Sequence, residues 1–235
     1  MLVKGVVLDL DGVILDSYRG GLRKIALLCA SEEIPYGRQE RQKLTEIWGL
    51  PGIELLGQGL GIGREMAEAL NQKWIRMDYV DPPDLVPGAR SALAWMRRNG
   101  LRTCLLTSRW RVSVDSVLRQ LDIAHSLDGT CTREDVTHHK PDPRSLRPPL
   151  ELLEDKFGIK KDECIFVGDT PSDIEAGHNA GLRTLVVQTG PYLLKHSDKE
   201  FGGKKIELAD VLGSLDDLPF WLENQPEVQL IELYR

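Results

Sequence analysis

The run VVLDLDGVILDS, residues 6–17, decides the fold. Val6, Val7, Leu8 and Leu10 form an apolar stretch, as expected of a strand covered on both faces in a parallel sheet. Asp9 and Asp11 stand at its C-terminal end with one residue between them. Alternate strand residues share a face, so the two carboxylates point the same way. Gly12 follows and permits a sharp turn. Like charges at the edge of an apolar layer repel and are costly to desolvate, and a divalent cation is a natural compensator. A solvated acidic turn is the alternative, and it does not explain why a core strand should end in paired Asp.

Outward from this strand, residues 3–10, the chain changes character. From about 17 to 80, KIALLCA, KLTEIWGL and REMAEALNQKWIRM carry apolar residues at helical steps. VDPPDLVPG, residues 80–88, reads as a hinge. Strand and helix then alternate: helix 88–99 ended by Asn99-Gly100, strand 101–107, helix 112–121, a short strand near 127–131, helix 148–157, strand 164–168, helix 171–180 ended by Gly181, and strand 183–188. Such alternation implies βαβ units with right-handed crossovers. The expected fold is therefore α/β: a Rossmann-like parallel sheet core, residues 1–16 and 84–225, carrying a small inserted helical cap, 17–83. An insert at this point emerges at the sheet edge where open α/β sheets bind ligands, placed as a lid. Gly57, Gly59, Gly61 and Gly63 follow no strand and so make no dinucleotide fingerprint; they read as a bend or hinge of the cap. The tail 226–235, with EVQLIELYR, reads as an edge strand, a dimer contact or a disordered end.

Composition bounds the partners. In 235 residues, 41% are hydrophobic, and Asp+Glu 36 against Lys+Arg 30 give a net charge of -6. That balance argues against nucleic acid or an anionic membrane as main partner. No apolar run approaches the ~20 residues needed to cross a bilayer. Cys29, Cys104, Cys131 and Cys164 form no CxxC pair and read as buried apolar residues in a reducing compartment. The expectation is a soluble cytoplasmic protein, monomer or homodimer, without a signal peptide.

Three further strand ends should meet the first. Thr107-Ser108 ends strand 101–107, and its hydroxyls and following N–H groups suit an anionic oxygen. Ser108 as a simple helix cap is the plainer alternative. Lys140 lies in His138-His139-Lys140-Pro141-Asp142-Pro143, where the prolines stiffen the loop and fix its ammonium as a point charge. Read alone, this is a surface loop with a solvated lysine, and the adjacent histidines do not face one point. IFVGDTPSDIEAGHNAG, residues 165–181, puts Asp169 just past a strand and Asp173 four residues on, along one side of the strand–helix junction. Such carboxylates suit Mg²⁺; favourable placement in a helix's first turn accounts for one of them.

The ordered set, Asp-x-Asp-Gly, strand–Thr, Lys-Pro and Gly-Asp-x-x-x-Asp, closely resembles the haloacid dehalogenase-like (HAD) hydrolase superfamily, in its phosphoglycolate phosphatase-like branch with a helical cap after the first motif. The resemblance spans about residues 3–220 and includes Val86-Pro87-Gly88. It implies a Mg²⁺-dependent phosphomonoesterase in which Asp9 is the nucleophile and Asp11 the general acid and base. It implies metal ligation by Asp9, the Asp11 backbone carbonyl, Asp169 and Asp173, and phosphate binding by Thr107, Ser108 and Lys140. Tyr18, Arg19, Arg23 and Arg109 are candidate substrate contacts, although a solvated or internally paired charge is the commoner fate. The implied substrate is a small phosphorylated metabolite: phosphoglycolate, a sugar phosphate or a nucleotide. Asp11 disfavours dehalogenation. Phosphonate-cleaving relatives use a cap lysine, and Lys24, Lys43 and Lys73 stand in no recognisable activating context. A β-phosphoglucomutase-like intramolecular phosphotransferase shares these motifs and stays open, as does a non-catalytic binding protein. Arg147-Pro148-Pro149 departs from the family pattern and delays the helix after Lys140.

Overall fold

The structure of the protein, a computed structural model, describes residues 2–192, 200–201, 204–205, 210–224 and 229–230. Its centre is one parallel sheet of β1 (Gly5–Leu8), β2 (Arg102–Leu106), β3 (Gly129–Cys131), β4 (Cys164–Gly168), β5 (Arg183–Val187) and β6 (Val211–Leu212). The strands lie in the order β6-β5-β4-β1-β2-β3. β1 is therefore internal, with Val7 opposite Cys104 on one side and Phe166 on the other. All four of its residues are buried, which is the physical content of its unbroken apolar run. Val6 and Leu8 enter the apolar cluster on one face of the sheet and Val7 the cluster on the other.

Between β1 and β2 come α1 (Ser17–Ser31), α2 (Arg38–Glu46), α3 (Gly52–Leu60) and α4 (Arg64–Val80). Their apolar residues, including Ile25, Leu44, Leu56 and Leu70, form a cluster of their own, apart from those of the sheet. The chain crosses into and out of this helical segment through a short antiparallel pairing of Leu15–Asp16 with Asp84–Leu85, within the Pro-rich stretch read as a hinge. Around the sheet lie α5 (Ala89–Arg98), α6 (Arg111–Gln120), α7 (Arg147–Phe157), α8 (Pro171–Ala180) and α9 (Leu218–Asn224). α7 starts late, with two prolines in its first turn, where no helical N–H is lost.

Two details differ from the sequence reading. Gly57 and Gly59 do not bend the backbone; they lie inside α3. A Cβ at Gly59 would overlap Leu44 of α2, so the missing side chain lets two helices approach closely. Only Gly61, which ends α3 in the left-handed region, and Gly63, which precedes α4, sit at a turn. The expected first strand ends at Leu8, and its start at Leu2–Val3 instead pairs with Gln229–Leu230 in a separate parallel ladder. The tail thus contributes an edge pairing at 229–230, while 225–228 and 231–235 lie outside the described residues. Among the described residues no helix is long and apolar enough to cross a membrane.

α8 is held against the sheet at Gly177, where a Cβ would overlap the Thr184 hydroxyl and crowd Phe166. Overpacking of this kind costs about 1–3 kcal/mol, against the ~1 kcal/mol that Ala gains over Gly in a helix. Gly177→Ala is therefore expected to lower the unfolding free energy in a urea titration. Unchanged or raised stability would contradict the close contact.

Candidate active site

β1, β2 and β4 are neighbours, so the residues just past their C-terminal ends converge. Asp9 continues the pairing one residue beyond β1, its N–H donating to the Val167 carbonyl at 2.9 Å. Lys140 arrives from the loop after β3. Its ammonium donates to Asp9 Oδ1 at 2.8 Å and to Asp173 Oδ1 at 2.5 Å. All three side chains are buried. The loop does not leave Lys140 in solvent.

Asp173 works twice. Its Oδ2 accepts from the Thr170 N–H at 3.0 Å and the Thr170 hydroxyl at 2.5 Å, completing a capping box at the start of α8. Capping thus accounts for one oxygen of Asp173, and Lys140 takes the other. Asp169 is different. It is 1% exposed, and neither carboxylate oxygen has a hydrogen-bond partner among the described residues. A buried carboxylate without partners is costly unless a cation or proton compensates it. One oxygen each from Asp9, Asp169 and Asp173 lie within 4.8 Å of one another. Hard oxygen donors at this density fit a divalent cation such as Mg²⁺. The surrounding backbone is pressed close, because a Cβ on either Gly12 or Gly190 would overlap the Asp169 carboxylate. Gly12 has φ +79, the region that favours glycine.

The charges set the proton affinities. Burial pushes the Asp9 carboxyl up to about 7; Lys140 opposes the rise, while Asp173 and Asp11 add to it. Burial, then Asp173 and Asp9, raise Asp169 well above its ordinary value. Asp11 goes the other way. Burial alone would raise it, but the charge and hydrogen bonds of Arg109 outweigh that and hold it low.

Arg109 follows Thr107-Ser108 at the end of β2. It grips Asp11 with Nε at 2.8 Å and Nη2 at 2.8 Å, and Asp78 of α4 with Nη1 at 2.6 Å. Asp78 also takes the buried Lys24 ammonium at 2.9 Å. Arg109 therefore ties β2, the first motif and the helical segment together, and its charge is already paired. Ser108 lines the cavity in front of Asp9 and does not cap α6, whose N-cap is Trp110. Thr107 is buried behind it, its hydroxyl accepting the Arg109 N–H at 3.2 Å.

Two expected cap contacts are corrected. Tyr18 is not among the residues lining this cavity; its hydroxyl pairs with Thr45 at 2.8 Å and its ring meets Trp48 edge-on. Arg19 is exposed and lines a separate hollow near the hinge with Arg23 and Asp84. Both lie in the first turn of α1, on faces turned to Thr45 and Trp48 and to the hinge hollow. Arg23 pairs with Asp81 at 3.2 Å.

The cavity in front of Asp9 is open to solvent. Asp9, Asp11, Ser108, Arg109 and Lys140 form one end. Sequence reasoning did not single out Asn71, Trp74, Ile75 and Asp78, which line it from α4. Their 71/74/75/78 spacing is one face of a helix, and its polar members Asn71 and Asp78 are the signal that separates it from a core stripe. Trp48, Trp110 and Thr170 complete the lining.

The chain matches the family described as haloacid dehalogenase-like hydrolase over residues 6–187. It is 31% identical over 197 residues to a phosphoglycolate phosphatase of Yersinia pseudotuberculosis, covering 80% of this chain and 82% of that one. It is 26% identical to an N-acetylmuramic acid 6-phosphate phosphatase of Pseudomonas aeruginosa, covering 90% and 96%. A crystal structure of a protein from Thermotoga maritima, described as a β-phosphoglucomutase, shares the fold with TM-score 0.71 and 20% identity, over 94% of this chain and 99% of that one.

Raised carboxyls bind more protons folded than unfolded, so their contribution to stability is present at acid pH and lost as pH rises through the folded value. With Asp9 near 7 and Asp169 raised, chelator-treated protein is expected to melt progressively lower between about pH 5 and pH 8. Added Mg²⁺, which favours the ionised carboxylates, should remove most of that fall. A flat melting temperature in chelator would contradict the assigned charges.

Proposed function

The chain belongs to the haloacid dehalogenase-like hydrolase family, and on that premise we propose that it is a cytoplasmic, Mg²⁺-dependent phosphomonoesterase that hydrolyses a small organic phosphate through an aspartyl-phosphate on Asp9. The observation that carries this reading is the buried Asp169 carboxylate, unpartnered among the described residues, beside Asp9 and the ion-paired Lys140, both of which line the cavity. Asp9, Asp169 and Asp173 would hold Mg²⁺ together with the Asp11 carbonyl. When bound, the cation offsets negative charge on the phosphoryl oxygens. The four cysteines are buried and free, which suits a reducing compartment.

Each residue then has a task. The Asp9 carboxylate attacks phosphorus, the ester O–P bond breaks, and the departing oxygen takes a proton from Asp11. Water then attacks the aspartyl-phosphate, giving its proton to Asp11 and releasing inorganic phosphate. Lys140 fixes the Asp9 carboxylate and, with Ser108 and Thr107, holds the transferring oxygens. Asp11 is gripped by Arg109 as a carboxylate, the form the second step needs; donating a proton in the first requires it to leave that grip. Helices α1–α4 act as the cap over this end of the sheet, the hinge lying at residues 15–16 and 84–85.

A Mg²⁺-supported screen of phosphorylated metabolites should detect free phosphate, and Asp9→Asn should lower kcat about a thousandfold or more with the fold intact. Full turnover by Asp9→Asn would remove Asp9 from its role. Isomer formation from a hexose 1-phosphate without free phosphate would favour the phosphotransferase reading.

A further inference from the structure

We propose that the cavity selects phosphate esters of an uncharged, largely apolar alcohol with a flat face, such as an arylmethyl group; this rests on the phosphomonoesterase reading. The wall beyond the reactive end is formed by Trp48, Leu50, Leu55, Trp74, Ile75 and Trp110. These come from the α2–α3 connection, α3, α4 and the loop after β2, so cap and core both contribute. The rings are braced by their neighbours. Tyr18 meets Trp48 edge-on with centroids 5.1 Å apart, Trp48 lies 6.1 Å from Trp74, and the Arg133 guanidinium lies 5.4 Å over Trp110. Aromatic surface of this kind favours a flat apolar partner.

Charge argues in the same direction. The cationic side chains lining the cavity are Arg109 and Lys140. Arg109 is paired with Asp78 throughout and with Asp11 while that carboxyl is ionised, and Lys140 is paired with Asp9 and Asp173. A carboxylate on the leaving group would meet Asp78 and Asp11 with one shared guanidinium between them, a like-charge cost. A polyol would lose its water against six apolar side chains, with only Asn71, Ser113 and Thr170 beside them in the lining to pair its hydroxyls.

The test compares kcat/KM of the full chain with Mg²⁺ for benzyl phosphate, phosphoglycolate and glucose 6-phosphate, all esters of primary alcohols. Benzyl phosphate should exceed both by about tenfold or more. Trp110→Ala should collapse that preference mainly through KM, and Trp110→Phe should keep it. Equilibrium titration with non-hydrolysable phenethylphosphonate and phosphonopropionate, followed by tryptophan fluorescence, gives a readout independent of turnover. Tighter binding of phenethylphosphonate supports the proposal. Equal or higher kcat/KM for phosphoglycolate or glucose 6-phosphate, or tighter binding of phosphonopropionate, overturns it. Failure to hydrolyse any ester counts against the phosphatase reading instead, and the phosphonate titration then decides the cavity's preference alone.

Discussion

Lys140, buried between Asp9 and Asp173, is the interaction on which the site depends. Removing one partner from a buried ion pair typically costs about 3–5 kcal/mol, because the remaining charge is stranded. Here the pairing is incomplete by design of the chain. Asp9, Asp169 and Asp173 face one another with one ammonium among them. Three carboxylates against one ammonium leave two negative charges uncompensated, the charge of one divalent cation. The deficit is focused on Asp169, whose oxygens have no hydrogen-bond partner among the described residues. A site built for structure alone would have closed that gap with another donor.

The sheet supplies the geometry. Asp9, Lys140 and Asp169 are far apart in sequence, yet β4 and β1 are adjacent and parallel, so residues one step past their ends meet. α8 adds Asp173 because its capping box fixes the side chain against Thr170. The same oxygen geometry that starts the helix turns the second oxygen toward Lys140. Stability of a helix terminus and placement of a site residue are here one arrangement.

Legibility followed from how directly a residue is tied to a strand end. Asp9, Asp169 and Asp173 could be placed together because they follow strand ends of one parallel α/β pattern, whereas Lys140, read alone as a loop lysine, joined them through the ordered set of motifs. The cap was harder. Tyr18 and Arg19 follow the first motif closely, but which way a helix turns its faces depends on what packs against it, and Thr45 and Trp48 claim Tyr18. The Asn71–Asp78 face was not singled out because helical spacing is the same for a face against a core and a face against a cavity, and only the polar Asn71 and Asp78 mark the difference. Gly57 and Gly59 looked like bends because the need for Gly came from α2, far away in sequence. Family membership adds the chemistry, while the aromatic wall belongs to this chain's own side chains.

The most direct measurement is a crystal structure grown with Mg²⁺ and beryllium fluoride, which mimics a phosphoryl group on a carboxylate. The account predicts the fluoride adduct on Asp9, with the cation against Asp169 and Lys140 contacting the adduct. An adduct on any other side chain, or a cation bound elsewhere while Asp169 stays without a partner, would contradict it.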